Sequence, residues 1–310
     1  MSSTAMSDTA EGTATATEAP TRQRRRMSTE QAIEIFAIPV IVAVGFALYA
    51  WWRNTASLDS VELSSLEWAA VWLALGEHVK LTLVSAVIVV FVGVPLGIML
   101  TRPRFRAAAP AVVGIANAGQ AAPAIGLIVL LFIWLSGQGW FLSFSTATGK
   151  IPFLPDTVGF SVAVIALSLY AILPVLRNTI TGLQGIDPTL VEAGRGVGMS
   201  NFAVLRRVEL PLAIPVIMAG VRIAVVMNIG ITAIATYIGA GGLGAFISRG
   251  ISQTDSRQLI TGALAVSLLA IAADYLLLWA QHKLTPVGIR TSRTPKHRSV
   301  VAAASAAASA

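Results

Sequence analysis

Two long apolar runs of this chain are joined by the polar segment Asp187-Pro-Thr-Leu-Val-Glu-Ala-Gly-Arg-Gly-Val-Gly-Met-Ser-Asn-Phe-Ala-Val-Leu-Arg-Arg-Val-Glu-Leu-Pro211. Its first half predicts a short helix, with Asp187 as the N-cap and Pro188 at the first helical position. Gly198 is placed to end that helix in a left-handed conformation. We call residues 187–211 the knuckle, because two short helices are predicted to meet there at a glycine.

The second half of the knuckle predicts another short helix, which begins at Ser200. Met199 and Val204 have the spacing of a hydrophobic staple around this start. Leu210-Pro211 is predicted to end the helix and to open the next apolar run. Charged side chains are expected to project from the knuckle at Glu192, Arg195, Arg206, Arg207 and Glu209. A charged, glycine-rich segment between apolar runs indicates a surface for another protein at the membrane.

The composition of the chain is that of a protein with several membrane spans. Of its 310 residues, 55% are hydrophobic and 12% are charged, whereas soluble domains have about 25% charged residues. The net charge of +7 does not indicate nucleic-acid binding, because the basic residues cluster beside the apolar runs. The chain has no cysteine, which excludes disulfides, thiol catalysis and thiolate metal sites.

Six apolar runs are each long enough to cross about 30 Å of hydrocarbon, and they predict an all-α membrane protein. The runs are residues 33–52, 81–101, 107–135, 159–176, 212–238 and 259–280. The first run follows an arginine cluster, as a signal peptide would. It is too long for a signal peptide and no small-residue cleavage site follows it, so a retained helix is predicted.

Lysine and arginine concentrate in alternate connections, which predicts the orientation in the membrane. The clusters precede the first run, follow the second, occupy the knuckle and fill the tail at 281–310. Both termini and the knuckle are therefore expected on the cytoplasmic side. Residues 1–30 are rich in Ser, Thr and Ala and are predicted to be disordered. The tail is basic and then low in complexity, and no fold is predicted for it.

Residues 66–75 have two open interpretations. Trp68 and Trp72 lie four apart on one helical face, which suits an interfacial helix at the headgroup boundary. The segment equally suits an N-terminal extension of the next span.

Two places in the apolar runs are candidates for lining a path through the membrane. The third run is interrupted before Pro123, and Asn117 and Gln120 place polar groups at membrane depth. Irregular backbone there is tolerated only against protein or a water-filled path. The alternative is a kinked helix in which both polar side chains bond to neighbours. Asn178, near Pro174, is expected either to cap a helix or to line the same path.

A glycine-rich break follows the fifth run at Gly239-Ala-Gly-Gly-Leu-Gly244. Its Gly-x-Gly-x-x-Gly spacing is that of a dinucleotide fingerprint, but it follows a membrane span rather than a strand. We therefore expect a close helix approach or a gate near the outer face. Gly93 and Gly97 also have a spacing that permits tight helix contact.

Several functions are disfavoured by what the sequence lacks. It has no Gly-x-x-x-x-Gly-Lys-Ser/Thr loop for ATP, no metalloprotease motif and no serine-nucleophile elbow, so no enzyme, resident cofactor or metal site is predicted. Asp274 is the one ionisable residue near mid-span, and a pairing with Arg222 or a polar neighbour is favoured. Sparse intramembrane charge argues against a proton-driven carrier.

The knuckle resembles the signature of permease subunits in ATP-binding-cassette importers. That signature reads Glu-Ala-Ala, three residues, Gly, nine residues, Ile-x-Leu-Pro. This chain has Glu192-Ala193-Gly194, then Gly198, then Val208-Glu209-Leu210-Pro211, so the spacing matches throughout. The two departures, Gly194 for Ala and Val208 for Ile, are small or conservative.

The resemblance extends over residues 75–280 and is closest to the osmoprotectant subgroup, which imports glycine betaine, choline or carnitine. The blocks that carry it include Leu169-Tyr-Ala-Ile-Leu-Pro-Val-Leu-Arg-Asn-Thr179 and Ile238-Gly-Ala-Gly-Gly-Leu-Gly244. Methionine importer permeases share the second block and are the nearest alternative. The resemblance implies a type I, methionine-importer-like core of five spans, with residues 33–52 as an extra N-terminal helix.

The resemblance also implies partners and residue roles. A cytoplasmic ATPase would bind ATP and hold the knuckle as a coupling helix, with contacts at Glu192, Ala193 and Gly194. Gly198 would set the angle, and Leu210 and Pro211 complete the motif. A second permease copy or paralogue would complete the path in a prokaryotic plasma membrane, and an extracytoplasmic binding protein would select the substrate. An ATP-independent secondary carrier is the alternative from another class.

Overall fold

The computed structural model describes residues 29–55, 66–139, 143 and 158–285. Of residues 1–30, which were predicted to be disordered, 1–28 lie outside the described residues, and Thr29 and Glu30 begin a helix. Of the tail at 281–310, for which no fold was predicted, residues 281–284 end the last helix and the residues beyond 285 lie outside the described ones. In the described part the regular structure is helical, in the order α1 (Thr29–Thr55), α2 (Trp68–Thr101), α3 (Ala109–Ala121), α4 (Ala124–Ser136), α5 (Val158–Gln184), α6 (Pro188–Gly196), α7 (Asn201–Val204), α8 (Leu210–Ala235), α9 (Gly244–Gln253) and α10 (Ser256–Leu284). The all-α prediction is confirmed.

Among the residues that the structure describes, five helical stretches are long and apolar enough to cross a membrane: 37–55 of α1, all of α2, α5 and α10, and the continuous run from Asn201 to Ile238. A sixth span results if α3 and α4 count as one, although they are bent by 97° at their junction. The break falls at Ala122-Pro123, where the proline interrupts helical hydrogen bonding. The predicted interruption of the third run is therefore confirmed, and it is a sharp bend rather than a slight kink.

The two interpretations of residues 66–75 are resolved by α2. This helix begins at Trp68 and runs without a break to Thr101, so the segment is an extension of the span. Trp72 is exposed, while Leu66 is fully buried.

The helices from Ile38 onward form a bundle, and α5 lies at its centre. A long series of buried residues along α5 shows this position. Helix α5 packs against α2 and α8. A Cβ on Gly97 of α2 would lie 2.7 Å from the side chain of Thr179, and one on Gly93 would lie 3.2 Å from Val175. The predicted tight contact at these two glycines is confirmed, and it joins α2 to α5.

Helix α1 belongs to two units, since the structure divides at Ala37 into Met1–Ala37 and Ile38–Ala310. In the first unit the described residues are the helical turns from Thr29. In the second unit, α1 packs on α10 where Gly45 meets Leu268: a Cβ on this glycine would lie 2.8 Å from the leucine side chain. The predicted first span is therefore a helix attached to the bundle along one side.

Candidate functional site: the knuckle and the residues of the membrane path

The first helix of the knuckle, α6, begins as its sequence predicts. The Asp187 carboxylate accepts hydrogen bonds from the backbone N–H of Thr189 at 2.9 Å and from its hydroxyl at 2.8 Å. Pro188 occupies the first turn, where its missing N–H costs nothing. The backbone N–H of Thr189, followed by its hydroxyl, holds the pKa of the Asp187 carboxyl below its usual value. The cap is therefore charged, and fully formed, at neutral pH.

The end of α6 has the hydrogen bonds of a Schellman motif. The N–H of Met199 donates to the Gly194 carbonyl at 3.1 Å, and the N–H of Gly198 donates to the Arg195 carbonyl at 2.9 Å. Gly198 has φ +84°, in the left-handed region where a Cβ is disfavoured. The predicted glycine C-cap is confirmed, and it sets the direction in which the chain leaves α6.

The second helix of the knuckle does not end at Leu210-Pro211, and that prediction was wrong. Ser200 caps its start by accepting from the N–H of Ala203 at 3.3 Å, as expected. The helix then widens into a π-helical turn at Leu205–Glu209 and continues into α8. A proline clashes with the carbonyl four residues before it in an ordinary helix. The wider turn directly before Pro211 allows the helix to continue through it.

The exposed face of the knuckle combines charged and apolar side chains. Glu192 and Ala193 are exposed, whereas Gly194 is buried. A Cβ on Gly194 would touch Val204 at 3.4 Å and Val208 at 3.7 Å, so this glycine lets the two helices of the knuckle pack together. The exposed face also includes Arg195, Arg206, Arg207, Val197 and Phe202. The two apolar members are 76% and 70% exposed, so both are available for contact with another protein.

Glu209 does not project from the knuckle as predicted. It is 8% exposed and forms a two-pronged ion pair with Arg102, which lies just beyond the end of α2. This pair was not predicted, because its members are 107 residues apart in the sequence. The only local signal was the position of a carboxylate immediately before the Leu-Pro motif. The pair ties the base of the knuckle to the neighbouring membrane helix.

Gln120 and Tyr170 join the bent span α3–α4 to α5. Pro174 has no N–H, so the carbonyl of Tyr170 lacks the donor that an ordinary helix would give it. The Gln120 side-chain amide donates to this carbonyl at 3.2 Å. In return, the hydroxyl of Tyr170 donates to the Ala122 carbonyl at the bend. Two breaks in helical bonding, on two different spans, are thus satisfied by each other's side chains.

The other polar candidates for the path are also bonded. The Arg177 guanidinium donates to the Asn117 side-chain oxygen at 2.9 Å. Asn178 donates to the carbonyl of Pro174 at 2.8 Å and lies against α8, where a Cβ on Gly220 would be 2.6 Å from it. The alternative of a bent helix with satisfied polar groups is therefore observed for Asn117 and Gln120, while Pro123 is exposed at the bend. A role in the path stays a prediction for all four residues.

The predicted pairing of Asp274 is confirmed, and its partner is Arg222. The two side chains join α10 to α8 through contacts of 2.7 to 2.9 Å, and both are partly exposed. They border an open cavity of about 580 Å³ that is otherwise lined by Ala219, Ile223, Val226 and Met227. Pairing lowers the cost of placing two charges between membrane helices.

The glycine-rich segment 239–244 lies at the opposite end of the bundle from the knuckle. Gly239, Gly241 and Gly242 all have positive φ, and the N–H of Gly242 donates to the Glu77 carboxylate of α2 at 2.8 Å. A Cβ on Gly244 would be 1.9 Å from the carbonyl of Ala233. The expected close helix approach is confirmed, whereas a gate is not tested. Among the described residues, no group of three acidic or histidine side chains could hold a metal ion.

The family model and the curated proteins that match this chain all describe membrane components of transport systems. Residues 93–286 match the family described as binding-protein-dependent transport system inner membrane component. The glycine betaine/carnitine/choline transport system permease protein OpuCB of Bacillus subtilis is 39% identical over 215 residues, which cover 69% of this chain and 88% of that protein. The osmoprotectant import permease protein OsmW of Salmonella typhimurium is 44% identical over 217 residues, which cover 69% of this chain and 91% of that protein.

Among solved structures, this chain is similar to a chain of the MetNI methionine ABC transporter in an inward-facing conformation. The TM-score is 0.56 with 23% identity, and the match covers 70% of this chain and 96% of that one. At this identity the likeness shows the fold. It confirms the prediction of a methionine-importer-like permease fold.

Proposed function

Since the chain belongs to the family of binding-protein-dependent transport system inner membrane components, we propose that it forms the membrane path of an ATP-binding-cassette importer for osmoprotectants. The substrate class is that of glycine betaine, choline and carnitine. The assignment of the substrate class rests on the identity of 39 to 44% with permeases named for osmoprotectants or for these compounds. The likeness to the methionine transporter is lower in identity and bears on fold alone.

The knuckle is the part of the chain that binds the ATPase subunit. Its exposed face offers the Glu192 carboxylate beside Ala193, with Val197 and Phe202 as apolar anchors. Gly194 supports this surface from within, since it lets the two knuckle helices pack closely. ATP hydrolysis belongs to the partner subunit.

Within the described residues, two connections transmit a movement of the knuckle to the membrane spans. One is the helix from Asn201 into α8, which is continuous through the π turn at Leu205–Glu209. The other is the ion pair from Glu209 to Arg102 at the end of α2. A push on the knuckle therefore acts on two spans together. The bent span α3–α4, held by Gln120 and Tyr170, offers polar atoms beside the path.

The knuckle end of the bundle faces the cytoplasm, and the glycine-rich end faces outward. The density of basic residues at the knuckle end supports this orientation. A binding protein loaded with substrate docks at the outer end, and a second permease, identical or paralogous, completes the path. The binding protein selects the substrate, whose quaternary ammonium group suits recognition by aromatic rings.

The experiment is uptake of radiolabelled glycine betaine into proteoliposomes that contain the chain, its ATPase and its binding protein. Uptake is expected only with ATP on the ATPase side, and Glu192→Lys is expected to abolish it by reversing the charge at position 192 of the knuckle. Glu67→Lys is the matched control, because Glu67 is exposed at the other end of the bundle and makes no capping bond.

The outcomes separate the alternatives. Uptake without ATP would identify a secondary carrier. ATP-driven uptake of methionine without uptake of glycine betaine would keep the importer and overturn the substrate. Equal loss in the Glu192 and Glu67 variants would show that the knuckle has no special part in coupling.

A further inference from the structure

A groove between α1, α2 and α10 has no part in the proposed transport path. It is a cavity of about 550 Å³ that is open on one side, and its lining is almost entirely apolar. Ile38, Val42 and Phe46 line it from α1, and Leu264, Ala265 and Leu268 line it from α10. These helices span the membrane, so the groove opens toward hydrocarbon rather than water.

Tyr49, which lines the groove one helical turn before Arg53, has a buried hydroxyl without a hydrogen-bond partner among the described residues. Its side chain is 7% exposed. A buried tyrosine hydroxyl normally has such a partner, because leaving it unpaired is costly. The missing partner is expected to be an acceptor that enters the groove.

A cation lies one helical turn beyond this hydroxyl. Arg53 is four residues after Tyr49, on the same face of α1. The Arg53 side chain is held in place by a hydrogen bond to the Leu66 carbonyl at 3.0 Å and by the Trp68 ring, whose centroid is 4.9 Å away. A third bond joins it to Asn54. A guanidinium has five N–H donors, so donors remain for an anion, and no described carboxylate pairs with Arg53.

One face of α1 therefore changes from apolar residues to a hydroxyl and then to a cation. The apolar part, from Ile38 to Tyr49, is about 16 Å long at 1.5 Å per residue. One leaflet of the hydrocarbon core is about 15 Å thick. A phospholipid has the complementary series in the same order: an acyl chain, an ester carbonyl and a phosphate.

We propose that this groove binds one phospholipid of net negative charge, in the leaflet remote from the knuckle. One acyl chain fills the apolar groove, Tyr49 donates its hydrogen bond to an ester carbonyl, and Arg53 binds the phosphate. A negatively charged lipid is preferred because it brings no ammonium group to compete for its own phosphate.

The test is native mass spectrometry of the full purified chain, with phosphatidylglycerol and phosphatidylcholine of identical acyl chains added in turn. The wild type is expected to retain one lipid per chain and to prefer phosphatidylglycerol. Arg53→Gln is expected to lower the affinity for phosphatidylglycerol about tenfold and to remove the preference, as expected for loss of a charged hydrogen bond. Tyr49→Phe is expected to weaken the binding of both lipids. Ala265→Phe, which fills the groove, is expected to prevent the retention of either lipid.

Arg249→Gln is the matched control. Arg249 also bonds a backbone carbonyl, at 3.1 Å, and stacks on an aromatic ring, but it lies on α9 and not one helical turn beyond Tyr49 on α1. Equal retention by wild type, Arg53→Gln and Ala265→Phe would overturn the proposal, as would an Arg249→Gln loss equal to that of Arg53→Gln. The Tyr49 and Arg53 variants add no bulk to the groove, so they decide the question even if Ala265→Phe does not fold.

Discussion

Glycines at single positions decide the shape of the knuckle, and they do so in two different ways. Gly198 adopts φ +84° with no atom near its missing side chain, so its role is conformational. Gly194 has ordinary helical geometry but lies against Val204, so its role is to make room. The first role could be read from the sequence, because a helix followed by glycine and a new N-cap is a local pattern. The second could not, because it depends on which way the second helix folds back.

Replacing Gly198 by valine is expected to uncouple transport without preventing membrane insertion. A side chain at a left-handed position costs about 1 to 2 kcal/mol, which favours a different exit from α6 and misplaces the face that carries Glu192. The measurement is ATP-dependent uptake in proteoliposomes, with the amount of inserted protein determined in parallel. Gly196→Val is the control, since Gly196 is equally open but has no positive φ. Normal uptake by the Gly198 variant would refute the expectation.

Gln120 is expected to stabilise the protein because Pro174 leaves the Tyr170 carbonyl without its helical donor. Gln120→Leu should therefore lower the free energy of unfolding by about 1 kcal/mol, because the hydrogen bond that it removes is partly buried. In a Pro174→Ala background the alanine N–H can supply the donor, and the cost of Gln120→Leu should fall. A double-mutant cycle by denaturant unfolding in detergent measures the coupling. Additive effects would show that Gln120 does not act through this carbonyl.

Contacts between helices that are far apart in the sequence could not be predicted from the sequence motifs. The glycine spacing in α2 predicted a tight contact but not that its partner is α5. Arg102 belongs to the basic cluster that follows the second apolar run, and Glu209 was predicted to project from the knuckle. The structure pairs them, because the helix that leaves the knuckle is continuous and brings its base against the end of α2. Local motif and charge rules contain no information on such a pairing.

Reversing the charges of Arg102 and Glu209 one at a time is expected to impair coupled uptake, and reversing both is expected to restore part of it. Each single reversal leaves two like charges in contact, and Glu209 is largely buried, so water screens the repulsion poorly. The variants are Arg102→Glu, Glu209→Arg and the double exchange, assayed for ATP-dependent uptake and for ATPase activity. Arg104→Glu is the control, because Arg104 is exposed in the same connection. A double exchange no better than either single one would argue against the pair.

For the whole molecule, the length of the apolar runs sufficed to predict the spans, since the length of a span follows from the thickness of the bilayer. The start of α2, thirteen residues before the predicted run, was open because Leu66–Leu75 suits an interface as well as a span. The 97° bend between α3 and α4 was also beyond the sequence. Pro123 indicates a break, but the angle is set by what the two halves pack against, which here is α5.

The orientation of the molecule can be tested directly because the natural chain has no cysteine. Val197→Cys places a thiol on the exposed knuckle, and Ser252→Cys places one on the exposed side of α9 at the other end of the bundle. A membrane-impermeant maleimide is expected to label Ser252→Cys in intact cells, and Val197→Cys only after permeabilisation, since the basic residues cluster at the knuckle end. The unsubstituted chain gives the background. Labelling of Val197→Cys in intact cells would invert the topology, and an ATPase in the cytoplasm could then not reach the knuckle.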